Sequence, residues 1–339
     1  MIIKNDTESH SAAVIGVSIS YELKNEVLSS IPDPLVSVYV PTYEHKNFIE
    51  ECIESILMQK TDFPFEIIIG EDFSTDGTRE IVINYAEKYP ERIRVITADS
   101  NIKQLANRVR CLKALRGKYI AQCDGDDYWT DPLKLQKQAD FMQNHSQFSL
   151  CYHSYQILDE AHLSKSQSLG TRDFSGDELV GFPTGIAVST KFFRNVYRNL
   201  EDYWLYEFAG DASCTALLGT FGRGKFLSDI KPSIYRKHGN SEWNSKDVRF
   251  KYHTGKYVRM KIYKKFLNAG DERSAMLCLA AIRQNLMRDP KIVTPDQKAF
   301  NISRREFKVT YRDVWFQFYY YPLFSKIRKK IRFLLNKKV

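Results

Sequence analysis

The sequence predicts an α/β fold in which a mostly parallel sheet is covered by helices on both faces. Short apolar runs alternate with amphipathic runs of helical period from residue 35 to residue 150, a pattern typical of parallel sheets with crossover helices. Acidic segments follow two of the apolar runs, at the strand ends where such sheets bind ligands. The composition is 43% hydrophobic and 27% charged, which is enough to bury a large core.

Four predicted strands alternate with helices in this regular region. The strands are, in chain order, LVSVYV, FEIIIG, RIRVITA and KYIAQC. The first helix carries its apolar residues on one face: Phe48, Ile49, Cys52, Ile53, Ile56 and Leu57. After the fourth strand, Asp131 is expected to cap a helix that has Pro132 at its first position.

The flanking regions give weaker patterns. Residues 1–34 are predicted to be a weakly structured lead-in that ends at the turn-forming IPDP. Residues 151–250 mix strands and helices, and residues 251–339 are expected to form a helical C-terminal extension with a basic amphipathic tail.

The cysteines and the apolar segments indicate a cytoplasmic protein. The six cysteines form no CxxC pair and are expected to be reduced. We predict neither a signal peptide nor a membrane span, because VWFQFYYYPLF is interrupted by Gln317 and Pro322 and is far shorter than the roughly 20 residues that a crossing helix needs.

The net charge of +9 is concentrated in residues 325–339, which contain seven basic residues and no acidic one. This concentration argues against a nucleic-acid-binding protein, whose basic residues would cover a working face. The basic residues alternate with apolar ones such as Ile327 and Phe333. Such a segment can lie on the inner face of an anionic membrane; it can equally be a solvated helix end packed on the core.

Two strand-end segments carry side chains suited to a nucleotide. In VPTYEHKNF, Pro41 ends strand pairing, and the ring of Tyr43 can stack on a base or pack within the turn. In GEDFSTDG, Asp72 leaves an apolar strand and can accept a hydrogen bond from a ring N–H. Asp76 is expected to serve the turn and the start of the next helix.

The segment CDGDDYW places Asp124, Asp126 and Asp127 within four residues, directly after a predicted strand. Carboxylates this close repel one another, so either a cation neutralises them or the loop is a solvated acidic turn. Hard oxygen ligands in a tight loop suit Mn²⁺ or Mg²⁺. The pattern favours a metal site and leaves Asp127 without a role.

Three blocks resemble the signature blocks of family 2 glycosyltransferases, which are inverting, nucleotide-sugar-dependent enzymes with the GT-A fold. The blocks are VSVYVPTYEHKNFIEECIESILMQ, EIIIGEDFSTDGT and GKYIAQCDGDDYWTDPLKLQKQ, in the family's order and spacing. The resemblance implies a GT-A (Rossmann-like) sheet, with a nucleotide-sugar-binding half over residues 35–150 and an acceptor-binding, catalytic half over residues 151–250.

The resemblance also implies roles for individual residues. Asp124 would lie near the ribose and Asp126 would hold the metal. Asp211, in FAGDASCTALLGTFG, would be the general base, a role compatible with capping its helix. His238, in YRKHGNSEW, would join the metal site or else be a surface histidine. The expected nucleotide-sugar contacts are Pro41, Thr42, Tyr43, Glu44, Asp72, Asn107, Arg108, Asp124 and Gly125.

One segment departs from the family pattern. After the third strand the family usually has Asn-x-Gly, whereas this chain has Asn101-Ile102-Lys103. A lysine changes the backbone angles that the loop can adopt and could bring a cation near the diphosphate.

The predicted function is transfer of a hexosyl or N-acetylhexosaminyl group from a UDP-sugar, or a similar nucleotide-sugar, to a hydroxyl of a glycan or lipid-linked glycan. The reaction would be an inverting, metal-assisted single displacement. Two alternatives remain from other classes: a catalytically inactive nucleotide-sugar-binding protein, and a nucleic-acid-binding protein.

Overall fold

The computed structural model describes residues 11–27, 33–159, 164–165, 172–181, 186–200, 205–206, 208–239 and 248–288, with the backbone alone for 164–165, 248–257 and 283–288. A first compact unit ends at Arg283, and the fold described here belongs to it. Beyond it, the described chain only completes the last helix.

Eleven strands in the described residues form two sheets. The strands are β1 Tyr21–Glu22, β2 Val36–Thr42, β3 Phe65–Glu71, β4 Ile93–Thr97, β5 Tyr119–Gln122, β6 Phe148–Tyr152, β7 Tyr155–Asp159, β8 Ser164–Lys165, β9 Phe192–Arg194, β10 Arg223–Phe226 and β11 Ser233–Lys237. The larger sheet has the order β1-β4-β3-β2-β5-β9-β6-β10, and the smaller has the order β11-β7-β8.

The larger sheet contains four parallel strand pairs and three antiparallel ones. β4, β3, β2 and β5 are parallel neighbours, as are β6 and β10. β9 runs antiparallel between β5 and β6, and β1 is an antiparallel edge strand on β4. The carboxyl ends of β2, β3, β4 and β5 therefore meet at one edge.

Helices cover both faces of this sheet. The α-helices with described bounds are α1 (residues 11–18), α2 Ile49–Leu57, α3 Thr78–Lys88, α4 Lys103–Ala114, α5 Lys134–Asn144, α6 Gly176–Val180, α7 Asp211–Phe221, α8 Val248–Asn268 and α9 Glu272–Arg288. Val38 and Ile69 share a core cluster with α2, α3 and α5. Gly70 faces the other way, where a Cβ would meet the Cys111 sulfur of α4 at 2.4 Å. The predicted mixed α/β fold with a helical C-terminal extension is confirmed.

The fifth helix begins two residues later than predicted. α5 starts at Lys134, with Leu133 as its N-cap, and Pro132 lies in the preceding turn. The Asp131 carboxylate accepts hydrogen bonds from the backbone N–H groups of Leu133 (2.9 Å) and Lys231 (3.0 Å). Asp131 therefore joins this turn to the segment before β11.

The described part of the lead-in is more structured than predicted. α1 packs on α4 through Gly16, where a Cβ would lie 2.9 Å from the Ile102 Cβ and 3.0 Å from the Ala106 Cβ. β1 then extends the larger sheet. Glu22 in β1 accepts two hydrogen bonds from the guanidinium of Arg94 in β4, at 2.7 and 2.8 Å.

All six cysteines are buried and free, as expected for reduced thiols. Among the described residues, no helix has the length and hydrophobicity to span a membrane. The basic segment 325–339 lies outside the described residues, so its membrane interaction stays a prediction.

Candidate functional site

The loops that follow β2, β3 and β5 come together at one edge of the larger sheet. The backbone N–H of Gly125 donates to the Pro41 carbonyl (3.0 Å). A Cβ on Gly125 would lie 2.7 Å from the Thr42 hydroxyl oxygen and 2.8 Å from Nδ1 of His45, so only glycine fits there. The structure therefore brings the first and third predicted blocks into direct contact.

The loop after β2 is tied to the loop after β3. The Glu44 carboxylate accepts a hydrogen bond from the Thr75 N–H (2.8 Å), and the Glu44 N–H donates to the Ser74 hydroxyl (3.1 Å). Glu44 is thus used within the fold, whereas Tyr43 beside it is 45% exposed. An exposed ring at this edge is available for stacking on a base.

Asp72 is buried, and its carboxylate orders the loop after β4. It accepts a hydrogen bond from the Ile102 N–H (2.9 Å), and an Arg110 nitrogen lies 3.9 Å away. Burial raises the pKa of Asp72, although this hydrogen bond and Arg110 oppose the rise. The residue expected to contact the base therefore also holds the end of the loop that leads to Lys103.

Lys103 keeps a backbone angle that suits the glycine usual in the family. Its φ is 73°, and Glu44 (56°) and Phe73 (59°) are the other described non-glycine residues with positive φ. Glu44 and Phe73 lie in the loops after β2 and β3, and Lys103 is the first residue of α4, directly after the loop that follows β4. Positive φ costs free energy for residues with a Cβ, and such strain clusters at functional sites.

The acidic loop gives its three carboxylates different surroundings. Asp124 accepts a hydrogen bond from the Gln122 side-chain amide (3.2 Å). Burial raises the pKa of Asp124 to about 6; the Arg108 charge opposes this rise, while Asp126 and Asp211 add to it. The aspartate expected near the ribose therefore faces both Arg108 and the predicted base.

Asp126 lies between two histidines. Its Oδ2 is 3.1 Å from Nε2 of His238 and 4.0 Å from Nε2 of His45. Burial opposes ionisation of Asp126, but the hydrogen bond with His238 and the two nearby imidazoles together outweigh it and lower the pKa. Burial lowers the pKa of His45 and favours its neutral form. The two residues predicted to hold a metal are thus adjacent.

Carboxylate oxygen and imidazole nitrogen both bind divalent cations, so Asp126 and His238 fit such a role. Within the described ranges, no group of three or more His, Cys, Asp or Glu side chains has the geometry of a metal site. A cation held here would thus need further ligands from a substrate or water.

Asp127 faces inward and joins the loop to the smaller sheet. Its buried carboxylate accepts a hydrogen bond from the Arg236 N–H of β11 (3.0 Å). The Arg236 guanidinium donates to the Asp126 carbonyl (3.0 Å) and pairs with Glu51. Burial, with Asp126 and Asp124 nearby, raises the pKa of Asp127 well above its usual value. Asp127 thus holds β11, the strand that ends directly before His238.

Asp211 is the first residue of α7, and Gly210 is the N-cap. The Asp211 side chain makes no capping hydrogen bond, so the helix-cap interpretation is not observed. Instead, its Oδ1 pairs with the ammonium of Lys191, whose side chain is 2% exposed, while the Asp211 side chain is 41% exposed.

Asn107 and Arg108 differ in whether their side chains are already hydrogen-bonded within the fold. The Asn107 amide is used within the fold, donating to the Gly70 carbonyl (2.8 Å) and accepting from Arg110 Nε (2.9 Å). Arg108 feels the charges of Asp124 and Asp211, and its buried Nε has no hydrogen-bond partner among the described residues. Of the two, only Arg108 is free to bind a ligand.

Sequence reasoning missed three residues of this site: His45, Lys191 and Arg236. His45 stands three positions after Thr42 in a block already singled out, so its place at a strand end was an available signal. Lys191 directly precedes β9 and Arg236 lies in β11, and nothing in their local sequence pattern separates them from surface cations.

We compared the sequence and the fold with those of known proteins. Residues 37–203 match the family described as glycosyl transferase family 2. The uncharacterized protein Rv1520 of Mycobacterium tuberculosis is 40% identical over 148 residues, which are 43% of each chain. TuaG of Bacillus subtilis, whose name describes a teichuronic acid biosynthesis glycosyltransferase, is 40% identical over 133 residues. These residues are 39% of this chain and 52% of TuaG.

The chain thus spans about half the length of these curated relatives. Among solved structures, residues 1–349 of Staphylococcus aureus TarS in complex with UDP-GlcNAc are 21% identical, with a TM-score of 0.48. That alignment covers 67% of this chain and 66% of the TarS chain.

Proposed function

Residues 37–203 place this chain in glycosyl transferase family 2, and from this premise we propose that the protein transfers a sugar from a nucleotide-sugar to a hydroxyl group of a glycan or lipid-linked glycan. The observation that carries the proposal is the grouping of Asp124, Asp126, His238 and Asp211 at the sheet edge where Asp72 follows β3. The donor is a UDP-sugar carrying a hexosyl or N-acetylhexosaminyl group. The teichuronic acid named for TuaG supports a role in polysaccharide biosynthesis.

The donor's nucleotide binds along the ends of β2 and β3. Tyr43 offers an exposed ring for stacking, and Asp72 offers a carboxylate oxygen to the imide N–H of uracil. Asp124 accepts a hydrogen bond from a ribose hydroxyl. Arg108, with its unpartnered Nε beside Asp124, donates to the diphosphate or the sugar.

The residues that would hold a divalent cation are Asp126 and His238, with the donor's diphosphate supplying further ligands. When bound there, Mn²⁺ or Mg²⁺ would neutralise the negative charge that develops on the leaving diphosphate. Asp127 and Arg236 keep the two protein ligands together, because they join the acidic loop to β11.

Asp211 serves as the general base. Its half-exposed carboxylate takes the proton of the acceptor hydroxyl as that oxygen forms a bond to the anomeric carbon. The bond from the anomeric carbon to the diphosphate breaks in the same displacement, and UDP leaves from the opposite side. A single displacement inverts the anomeric configuration.

A catalytically inactive nucleotide-sugar-binding protein is the alternative with an observation behind it. Asp72 and Asp124 would suffice for nucleotide binding, and the Asp211–Lys191 ion pair could be purely structural. Such a protein would bind UDP-sugars and never turn them over.

The test is a donor screen with several UDP-sugars, scoring UDP release with and without Mn²⁺, on the wild type and on Asp211→Asn. We expect Mn²⁺-dependent UDP release with one donor. Removal of the base is expected to lower kcat by about 10²-fold or more, with UDP affinity unchanged.

Asp177→Asn is the matched control, because Asp177 lies in the first turn of α6 and pairs with the exposed Arg273 outside the site. The control is expected to keep wild-type turnover. Full turnover by Asp211→Asn would refute the assigned base, and tight UDP binding with no turnover of any donor would favour the inactive binding protein.

A further inference from the structure

Lys191 carries an ammonium group into the protein interior. It directly precedes β9, and its side chain is 2% exposed. The ammonium contacts the Asp211 Oδ1, the Asp211 carbonyl (3.3 Å) and the Thr215 hydroxyl (3.0 Å). All three donors of this lysine are thus directed at the start of α7. A buried cation is costly unless it is paired and hydrogen-bonded, so this arrangement calls for an explanation.

Stabilisation of the amino end of α7 does not explain the buried lysine. The amino end of a helix carries a partial positive charge, and a cation beside it is unfavourable. α7 also closes its first turn without the lysine, because the Cys214 N–H donates to the Gly210 carbonyl (2.7 Å). The favourable partner of Lys191 is therefore the Asp211 carboxylate itself.

The carboxylate is held on one side and open on the other. Its Oδ1 pairs with Lys191, and the Asp211 side chain is 41% exposed. Oδ2 has no hydrogen-bond partner within the part of the chain that the structure describes. Among the described residues, Arg108 and Asp124 are the other charged groups that face Asp211. This is the geometry of a fixed proton acceptor, with one oxygen anchored and the other presented to the site.

We propose that Lys191 is a positioning residue for the base: it fixes the rotamer of Asp211 through Oδ1, so that Oδ2 meets the acceptor hydroxyl. This inference rests on the proposed function, since it assigns a supporting residue to the same reaction. A misplacement of about 1 Å in a reacting group can cost 10²-fold in rate. The lysine therefore acts on kcat and leaves donor binding alone.

The test compares Lys191→Met and Lys191→Arg in donor turnover. Lys191→Met is expected to lower kcat by about 10- to 100-fold while the donor KM stays within about twofold. Lys191→Arg, which keeps a cation, is expected to recover part of kcat. Lys134→Met is the matched control, because Lys134 is also fully buried but contacts Gln138 and Trp129 away from Asp211. It is expected to keep wild-type kcat.

A double-mutant cycle in Tm tests the pair without any turnover. Lys191→Met and Asp211→Asn should each lower Tm, and the double variant should lose less than the sum of the two, because both remove the same interaction. The double variant also leaves no unpaired buried ammonium, so it is expected to fold even where Asp211→Asn does not.

Two results would overturn the proposal: additive losses in Tm, or wild-type kcat in a folded Lys191→Met variant. If coupling in Tm is measured while the wild type turns over no donor at all, the proposed function fails, and Lys191 is then an anchor for α7 without a role in positioning a base.

Discussion

The side-chain amino group of Lys134 is buried in the protein interior, away from solvent. It is fully buried in α5, donates to the Gln138 side chain (2.7 Å) and lies 3.9 Å from the centre of the Trp129 ring. Burial lowers its pKa from 10.5 to about 7, and Cys123, Cys151 and Asp131 oppose this only in part. The folded protein therefore releases this proton at a lower pH than the unfolded chain does.

The sign of the resulting pH dependence follows. Between about pH 7 and 10.5 the unfolded chain holds a proton on Lys134 that the folded chain lacks. The free energy of unfolding should thus rise with pH in this window, by up to about 1.4 kcal/mol per pH unit. In Lys134→Met this contribution disappears. Urea denaturation at pH 7, 8 and 9 measures the slope, with the exposed Lys60→Met as control; equal slopes in all three proteins would contradict the pKa.

At the scale of elements, two aspartates of the acidic loop have different roles: Asp127 anchors the loop, and Asp126 is proposed to bind the metal. Asp127 accepts from the Arg236 N–H in β11, whereas Asp126 faces His238. Asp127→Asn keeps an acceptor oxygen at the same place, so it should change the free energy of unfolding by less than about 1 kcal/mol and retain Mn²⁺-dependent UDP binding. Asp127→Ala leaves a buried N–H unpaired and should cost about 1–3 kcal/mol.

Asp126→Asn is the counterpart to these variants. It should fold normally and lose the Mn²⁺-dependent part of UDP binding. Calorimetric titration of UDP with and without Mn²⁺, together with urea denaturation, separates the two aspartates. Loss of Mn²⁺ dependence in a stable Asp127→Asn variant would show that the division of roles between them is wrong.

The elements that sequence reasoning found are those with a clear apolar pattern. β2, β3, β4 and β5 were predicted because each buries a run of aliphatic residues. α1 was missed because it packs through the small residues Ala13 and Gly16 and leaves Val14 and Ile15 exposed. Such a helix has no apolar stripe that a periodicity argument can detect.

The site was predictable where its residues follow strands and unpredictable where they meet across the fold. Asp72, Asp124 and Asp126 each stand at or just beyond a strand end. The pairing of Lys191 with Asp211 depends on β9 entering the sheet between β5 and β6, and no local pattern encodes that insertion. The same holds for His45, because its position near Asp126 and His238 is set by the fold and not by its local sequence.

At the scale of the whole molecule, the site joins the two sheets. The larger sheet supplies the loops with Asp72 and Asp126, and the smaller sheet supplies His238 from the end of β11. Tyr128 and Ile234 exchange backbone hydrogen bonds at 3.2 and 2.9 Å between the two. Displacing β11 should therefore disturb Asp126 and His238, the proposed metal ligands, before it disturbs Asp72, a proposed nucleotide contact.

The positive charge of the chain is concentrated near its C-terminal end. Seven of the nine net positive charges lie in residues 325–339, outside the described residues. We predict that these residues bring the enzyme to an anionic membrane that holds a lipid-linked acceptor. Deletion of 325–339 should then abolish sedimentation with anionic vesicles while donor turnover with a water-soluble acceptor stays unchanged, because Asp126, His238 and Asp211 lie far upstream in the chain.

Two further variants separate charge from apolar contact in this tail. Phe333→Ser with Leu334→Ser keeps all seven charges and should weaken vesicle binding through lost apolar burial. Replacement of Lys329 and Lys330 by Gln should make the remaining binding less sensitive to salt, since each basic residue near an anionic surface contributes about 1 kcal/mol. If the deletion variant sediments with anionic vesicles as well as the full chain does, the tail is no membrane anchor, and a helix end packed on the core becomes the better interpretation.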